Sequence, residues 1–168
     1  NPTLYSNIYK VELTNKGHVT KLDEIKMKRF DLCKICNGIE DGRIFNYKNE
    51  NWIACNVLGS EEQYNPCINV MAIFKLDDPT NTFTILETPD KEKKKKNWSM
   101  FEHNGELYAE HSIVPHVVFK INEKDGKIIK RWGKSNNHRD DSLRGGACPI
   151  LINNDFYLSV GHRRFGSN

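Results

Sequence analysis

The sequence predicts an all-β protein, and three observations predict it: many short β-branched and aromatic runs, turn residues between them, and almost no helical periodicity. The runs lie at 43–47, 52–58, 68–76, 82–88, 98–103, 107–113, 116–121, 127–132, 149–152 and 156–161. They are rich in Ile, Val, Phe, Tyr and Trp, which fit a pleated, half-buried surface. Asn49-Glu50-Asn51, Asp77-Asp78-Pro79, Asn104-Gly105, Asp125-Gly126 and Asn153-Asn154-Asp155 punctuate them. Asn-Gly and Asp-Gly between such runs mark tight hairpins, because both residues tolerate positive φ. The best helical candidate is 21–30, with apolar residues at 22, 25, 27 and 30, and that spacing suits a strand and loop equally well.

The runs contain a repeat. Ile44-Phe45, a polar turn and Trp52 are followed by Met100-Phe101, a turn and Tyr108, then by Ile150-Leu151, a turn and Tyr157. The aromatic that opens each second strand recurs after 56 and then 49 residues. A period near 50 with about four strands in each is the size of a β-propeller blade. The expectation is a single partial propeller domain over 1–168, with approximate blades 1–60, 61–115 and 116–168. Propellers close with four to eight blades, so about three make part of a ring. The chain begins Asn1-Pro2 without Met and ends soon after an apolar run, and is read as a piece of a longer polypeptide. A β-sandwich accommodates the same strand count and is the alternative architecture.

Composition excludes several classes. The chain has 168 residues, 25 Lys+Arg against 22 Asp+Glu and 38% hydrophobic residues, which is enough for a core and argues against wholesale disorder. A formal net charge of +3 is too small to imply nucleic acid, and the one basic run, Lys93–Lys96, has no interleaved aromatic. No segment approaches the apolar length of a membrane span, so no membrane insertion is expected. Cys33, Cys36, Cys55, Cys67 and Cys148 are five irregularly spaced cysteines. The single CxxC at 33–36 lacks a second pair at zinc-site spacing, so no metal is assigned. Free thiols would suit an intracellular reducing compartment, although no address is legible. Asn97-Trp98-Ser99 is a glycosylation triplet, but Asn97 also belongs to a polar cluster.

Three polar clusters sit beside the repeated hairpins. Glu40-Asp41-Gly42-Arg43 precedes the first, Lys96-Asn97-Trp98 the second, and Arg144-Gly145-Gly146-Ala147-Cys148-Pro149 the third, with His162 after the third hairpin's second strand. Equivalent points of successive blades face one central cavity, so the clusters are expected to converge. A carboxylate meeting cations and an imidazole suits sugars or phosphate, with the carboxylate as acid or base and the cations as anion clamps.

These residues resemble the motifs of the five-bladed β-propeller glycoside hydrolases and phosphorylases, the mannoside-active group above all. Glu40-Asp41-Gly42-Arg43-Ile44-Phe45 is similar to that family's Glu-Asp-Pro-Arg motif, Lys96-Asn97-Trp98 with Phe101 to its lysine motif, and Arg144 to Pro149 with Tyr157 to His162 to its glycine-rich segment and downstream Tyr-His-Gly. The order holds over about 38–164. The resemblance implies that Asp41 is the general acid and that Arg43 orients it or binds sugar. It implies that Lys96 and His162 hold phosphate, with Arg144 adding positive charge. His111 and His116 would face sugar hydroxyls, and Asn97 would line the site. Read from the residues alone, Trp52, Trp98, Tyr108 and Tyr157 are expected in the blade core; an aromatic at a cavity rim would instead stack on a sugar face, and Trp98 is the best candidate for that. The pattern departs at Gly42, Cys148 and Arg163, and only Lys75 lies near the position of the family's phosphate-binding arginine.

The expected function is cleavage or formation of glycosidic bonds on an oligosaccharide or glycan. No cofactor is expected, with inorganic phosphate as a possible co-substrate. Hydrolysis would need a second carboxylate, for which Glu110 and Asp155 are available. The alternatives are a non-catalytic glycan-binding or structural module in a larger assembly, and an accessory domain of a glycosyltransferase. Other chains, or further parts of this one, are the expected protein partners.

Overall fold

The computed structural model describes residues 8–25, 39–59, 68–78, 82–88, 97–133, 142–154, 156–163 and 165. Every regular element among the described residues is a β-strand, and all pairings are antiparallel. The chain opens with a hairpin of β1 (Tyr9–Leu13) and β2 (Val19–Glu24). β3 (Ile39–Tyr47), β4 (Glu50–Gly59), β5 (Ile68–Lys75) and β6 (Thr84–Ile85) then form a four-stranded meander in chain order. β7 (Ser99–His103), β8 (Glu106–Ser112), β9 (Val117–Ile121) and β10 (Ile128–Trp132) repeat that topology. A third, irregular hairpin follows. Its outer part pairs β12 (Ile150–Asn153) with β13 (Phe156–Leu158), and its base pairs β11 (Leu143–Gly145) with β14 (Gly161–Arg163).

The repeat has a structural basis. Phe45 pairs across the strands with Trp52, Phe101 with Tyr108, and Leu151 with Tyr157. In each hairpin the second member of the apolar pair faces the aromatic that opens the return strand. Such cross-strand aromatic pairs are a main unit of sheet stabilisation. The first two turns share one conformation: Lys48-Asn49 (φ 53 and 60) and Asn104-Gly105 (φ 51 and 75) both place two residues in the left-handed region. That twist matches flanking β-strands.

The loosely helical stretch 21–30 is a strand as far as Glu24, and 26–30 lie outside the described residues. The repeating units are offset from the expected divisions at 60 and 115, both of which fall between the second and third strands of a sheet. The aromatic marker sits on the second strand of each unit, so divisions placed just after it cut the sheet.

Each face of the first sheet is buried, against different partners. Phe45, Tyr47, Ala54, Met71 and Ile73 pack against Trp98, Met100, Leu107, Ala109 and Phe119 of the second sheet. On the other face Ile53, Cys55, Val57, Ala72 and Phe74 meet Ile8 and Ile25, which flank the first hairpin. The second sheet turns Phe101 and Tyr108 the other way, and Tyr157 of the third hairpin lies 4.9 Å from Phe101. The order of layers therefore follows chain order. At both ends the outermost face is apolar and open: Tyr9, Val11, Leu13 and Leu22 at one, and Ile150, Ile152, Phe156 and Leu158 at the other, the last group 48–66% exposed. No helix among the described residues is long and apolar enough to cross a membrane.

Cys55 lies at 0% exposure in the centre of β4, its thiol 3.8 Å from the Ala72 carbonyl oxygen. Burial pushes the thiol from its ordinary value of 9.0 up to about 12. The unfolded chain releases this proton at lower pH than the folded one. The folded state therefore binds more protons between about 9 and 12, and stability falls as pH rises through that window. Urea unfolding of wild type and Cys55→Ala across pH 7–12 should show the wild-type advantage shrinking above pH 9 by roughly 1 kcal/mol per pH unit. Parallel curves would show that the thiol does not titrate differently on folding.

Candidate functional site

The first cluster is built on a β-bulge. Glu40 pairs with Asn56 and Arg43 with Ala54, so β3 carries one residue more than β4 between them. Asp41 absorbs the extra length in the left-handed region, at φ 54. A non-glycine residue there gives up roughly 1–3 kcal/mol. Bulges re-aim side chains and are common beside functional sites. Asp41 is exposed, and its Oδ2 accepts a hydrogen bond from Asn56 Nδ2 at 2.9 Å.

Arg43 reaches from this bulge into both other clusters. Its Nη2 donates to Asn97 Oδ1 at 3.0 Å and to the Gly145 carbonyl at 3.3 Å. Its Nη1 donates to the Trp98 carbonyl at 3.4 Å and the Ser99 hydroxyl at 3.5 Å. The partners are 54 to 102 residues away in sequence. All of them are neutral, and among the described residues Arg43 pairs with no carboxylate, Asp41 included. Asn97 presents its amide from a left-handed backbone, at φ 73. Gly145 is required by proximity: a Cβ there would stand 2.5 Å from the Asn97 carbonyl oxygen and 3.0 Å from Ser99 Oγ.

On the third hairpin, Arg144 and His162 are direct cross-strand partners on β11 and β14. Their side chains share one face at the short spacing of opposed strand residues. Arg144 is half-buried and His162 exposed. The Gly146 amide donates to the Val160 carbonyl at 2.8 Å and holds the hairpin closed beside them.

Several expected residues sit elsewhere or do other work. Trp98 is 1% exposed, its ring 5.5 Å from Phe119 and 5.1 Å from His111. It is core rather than a stacking platform, because strand alternation turns it toward the first sheet. His111 is half-buried against Trp98 and Phe119. His116 is exposed, with Nε2 3.0 Å from Glu110 Oε1. Lys75 pairs with Glu50 at 2.5 Å. Lys96 and Asp155 lie outside the described residues, as do Cys33, Cys36 and Cys67. In the glycosylation triplet, the half-buried Asn97 accepts from Arg43 through Oδ1, and Ser99 is 0% exposed.

Two contributors escaped the sequence reading, Asn56 and Ser99, and a third, Glu110, was expected only as a candidate second carboxylate. Asn56 steadies Asp41, and Ser99 receives Arg43. Glu110, 8% exposed, accepts from Ser159 Oγ at 2.6 Å and so ties the second sheet to the third hairpin. Asn56 and Glu110 stand in no recognisable motif, and Ser99 only in the glycosylation triplet; each is a polar residue inside an apolar strand, which is the signal that was present.

Beside the clusters, a cleft of about 620 Å³ runs between the first strands of the three units, with Ile44, Met100, Phe101, Cys148 and Leu151 in its walls. Burial raises the Cys148 thiol, against which a Met100 backbone hydrogen bond and the Arg43 charge pull it down. No group of three or more His, Cys, Asp or Glu among the described residues could hold a metal ion. Comparison with protein-family models, curated proteins and solved structures yields no match to this chain.

Arg43→Lys should destabilise the chain by about 2 kcal/mol, because an ammonium cannot fork between Asn97 and Gly145. Gly145→Ala should cost about 1–3 kcal/mol by pushing the third hairpin from Asn97. Both changes break one junction, so the double variant should lose clearly less than the sum in urea unfolding. Additive losses would mean that the two contacts are independent.

Proposed function

We propose that the stacked units are blades of a β-propeller of the glycoside hydrolase and phosphorylase type, and that the chain acts on glycosidic bonds where the three clusters meet. The observation that carries this reading is the Arg43 side chain, which touches the second and third clusters from the first. Face-to-face layering in chain order, with apolar faces open at both ends, is the arrangement that radial repetition would produce.

In this reading Asp41 protonates the leaving glycosidic oxygen. Arg144 and His162, opposite one another, hold an anion, and Lys96 is assigned to the same role by its sequence position. Glu110 is a poor choice as the base that activates water, because its two oxygens already engage His116 and Ser159. Phosphate brings its own nucleophilic oxygen and needs only cations around it. Its attack on the anomeric carbon, with proton transfer from Asp41 to the departing oxygen, yields a sugar 1-phosphate and a shortened glycan. This favours phosphorolysis over hydrolysis through Glu110.

A second reading is a glycan-binding or structural module. It is favoured by the four hydrogen bonds that Arg43 makes, among the described residues, to neutral acceptors within the fold. Oligosaccharide turnover with and without inorganic phosphate separates the two. The enzyme reading expects phosphate-dependent product, and a loss of about 10²–10⁴-fold in Asp41→Asn. Glycan binding without turnover, unchanged in Asp41→Asn, would establish the module instead.

A further inference from the structure

We infer that Asn56 is a positioning residue for the Asp41 carboxylate, a role that rests on the glycosidic chemistry proposed for Asp41. Asn56 is 2% exposed and lies in the middle of the first sheet, paired with Glu40 on one side and Met71 on the other. Its neighbours on that face of β4 and β5 are Ala54, Met71 and Ile73, all buried in the apolar core. The amide is thus an exception on an apolar surface. Its Nδ2 donates to Asp41 Oδ2 at 2.9 Å. Its Oδ1 is buried and meets no donor among the described residues. An orphaned buried acceptor costs folding free energy, and a branched aliphatic side chain of similar volume would not incur that cost.

The other end of the hydrogen bond is costly as well. Asp41 occupies a left-handed backbone position that glycine would accept without strain. Two separate departures from the most stable sequence therefore meet at one contact. Asp41 is exposed, so water could satisfy its oxygens without Asn56. What water cannot do is hold the carboxylate in one orientation above the bulge. The buried amide is locked by the strands around it and can. Reacting groups gain from such fixation, and a displacement of about 1 Å can cost a hundredfold in rate.

The test combines stability with kinetics on the full-length polypeptide. Asn56→Val and Asp41→Gly are unfolded in urea, and Asn56→Val and Asp41→Asn are assayed for phosphorolysis of a mannooligosaccharide panel. A positioning role expects Asn56→Val and Asp41→Gly to unfold at or above the wild-type midpoint. It also expects Asn56→Val to lose about tenfold to a hundredfold in kcat, with KM little changed. A lower midpoint for Asn56→Val makes Asn56 a structural residue and overturns the inference. Full kcat in Asn56→Val beside an inactive Asp41→Asn overturns the inference and leaves the chemistry at Asp41 standing. Full activity in Asp41→Asn, or a wild type inert on every oligosaccharide, removes the chemistry at Asp41 and the positioning role with it.

Discussion

The Arg43 guanidinium is the interaction on which the arrangement of the three units depends. Among the described residues this half-buried cation has no carboxylate partner and is stabilised by dipoles, which come from Asn97, Trp98, Ser99 and Gly145. That demand propagates outward. Asn97 must turn its amide inward, which its left-handed backbone achieves. Residue 145 must lack a Cβ, because the Asn97 carbonyl lies where one would go. The bulge at Asp41 immediately precedes Arg43 and adjusts the strand from which it projects. Neutral acceptors leave the guanidinium charge uncancelled by the groups that hold it. The junction is therefore both a structural weld and a source of positive potential.

The hairpins were legible because their chemistry is local. An apolar pair, a two-residue turn and an aromatic specify register over about ten residues, and all three repeats fold with the aromatic facing the second apolar residue. The first hairpin, β1 with β2, was missed although Lys10 and Glu12 alternate with Tyr9, Val11 and Leu13, the period-two signal of a strand with one apolar face. β11 was missed because Leu143-Arg144-Gly145 has no strand propensity. It pairs with β14 only because the rest of the third hairpin brings them together. Tertiary context, absent from any local pattern, makes that strand.

The site was legible as three clusters but not as side-chain geometry. Motif order led to Arg43, Asn97 and Gly145, which do meet. The role expected of Trp98 fails on strand alternation, since whether a strand aromatic faces core or cavity turns on a single residue of register. Asn56 and Ser99 were invisible because an isolated polar residue in an apolar run reads as an ordinary surface position. Only burial distinguishes it. His116 and Glu110 illustrate the converse: two chemically attractive groups that engage each other, with Ser159 as a third partner.

The chemistry of the junction also depends on what lies beyond the outer faces. The cleft is walled by the first strands of three units, and its open side carries Ile44 at 61% and Ile150 at 62% exposure. Large aliphatic groups on a rim offer no hydrogen bonds to a polar ligand. The aliphatic side is better suited to packing against another apolar surface than to solvent. Covering it would remove water from the space beside Arg43. A lower local dielectric would then strengthen the pull of its unneutralised charge on any anion bound nearby. In the proposed reading, burial of the apolar rim and anion binding would be coupled through this guanidinium.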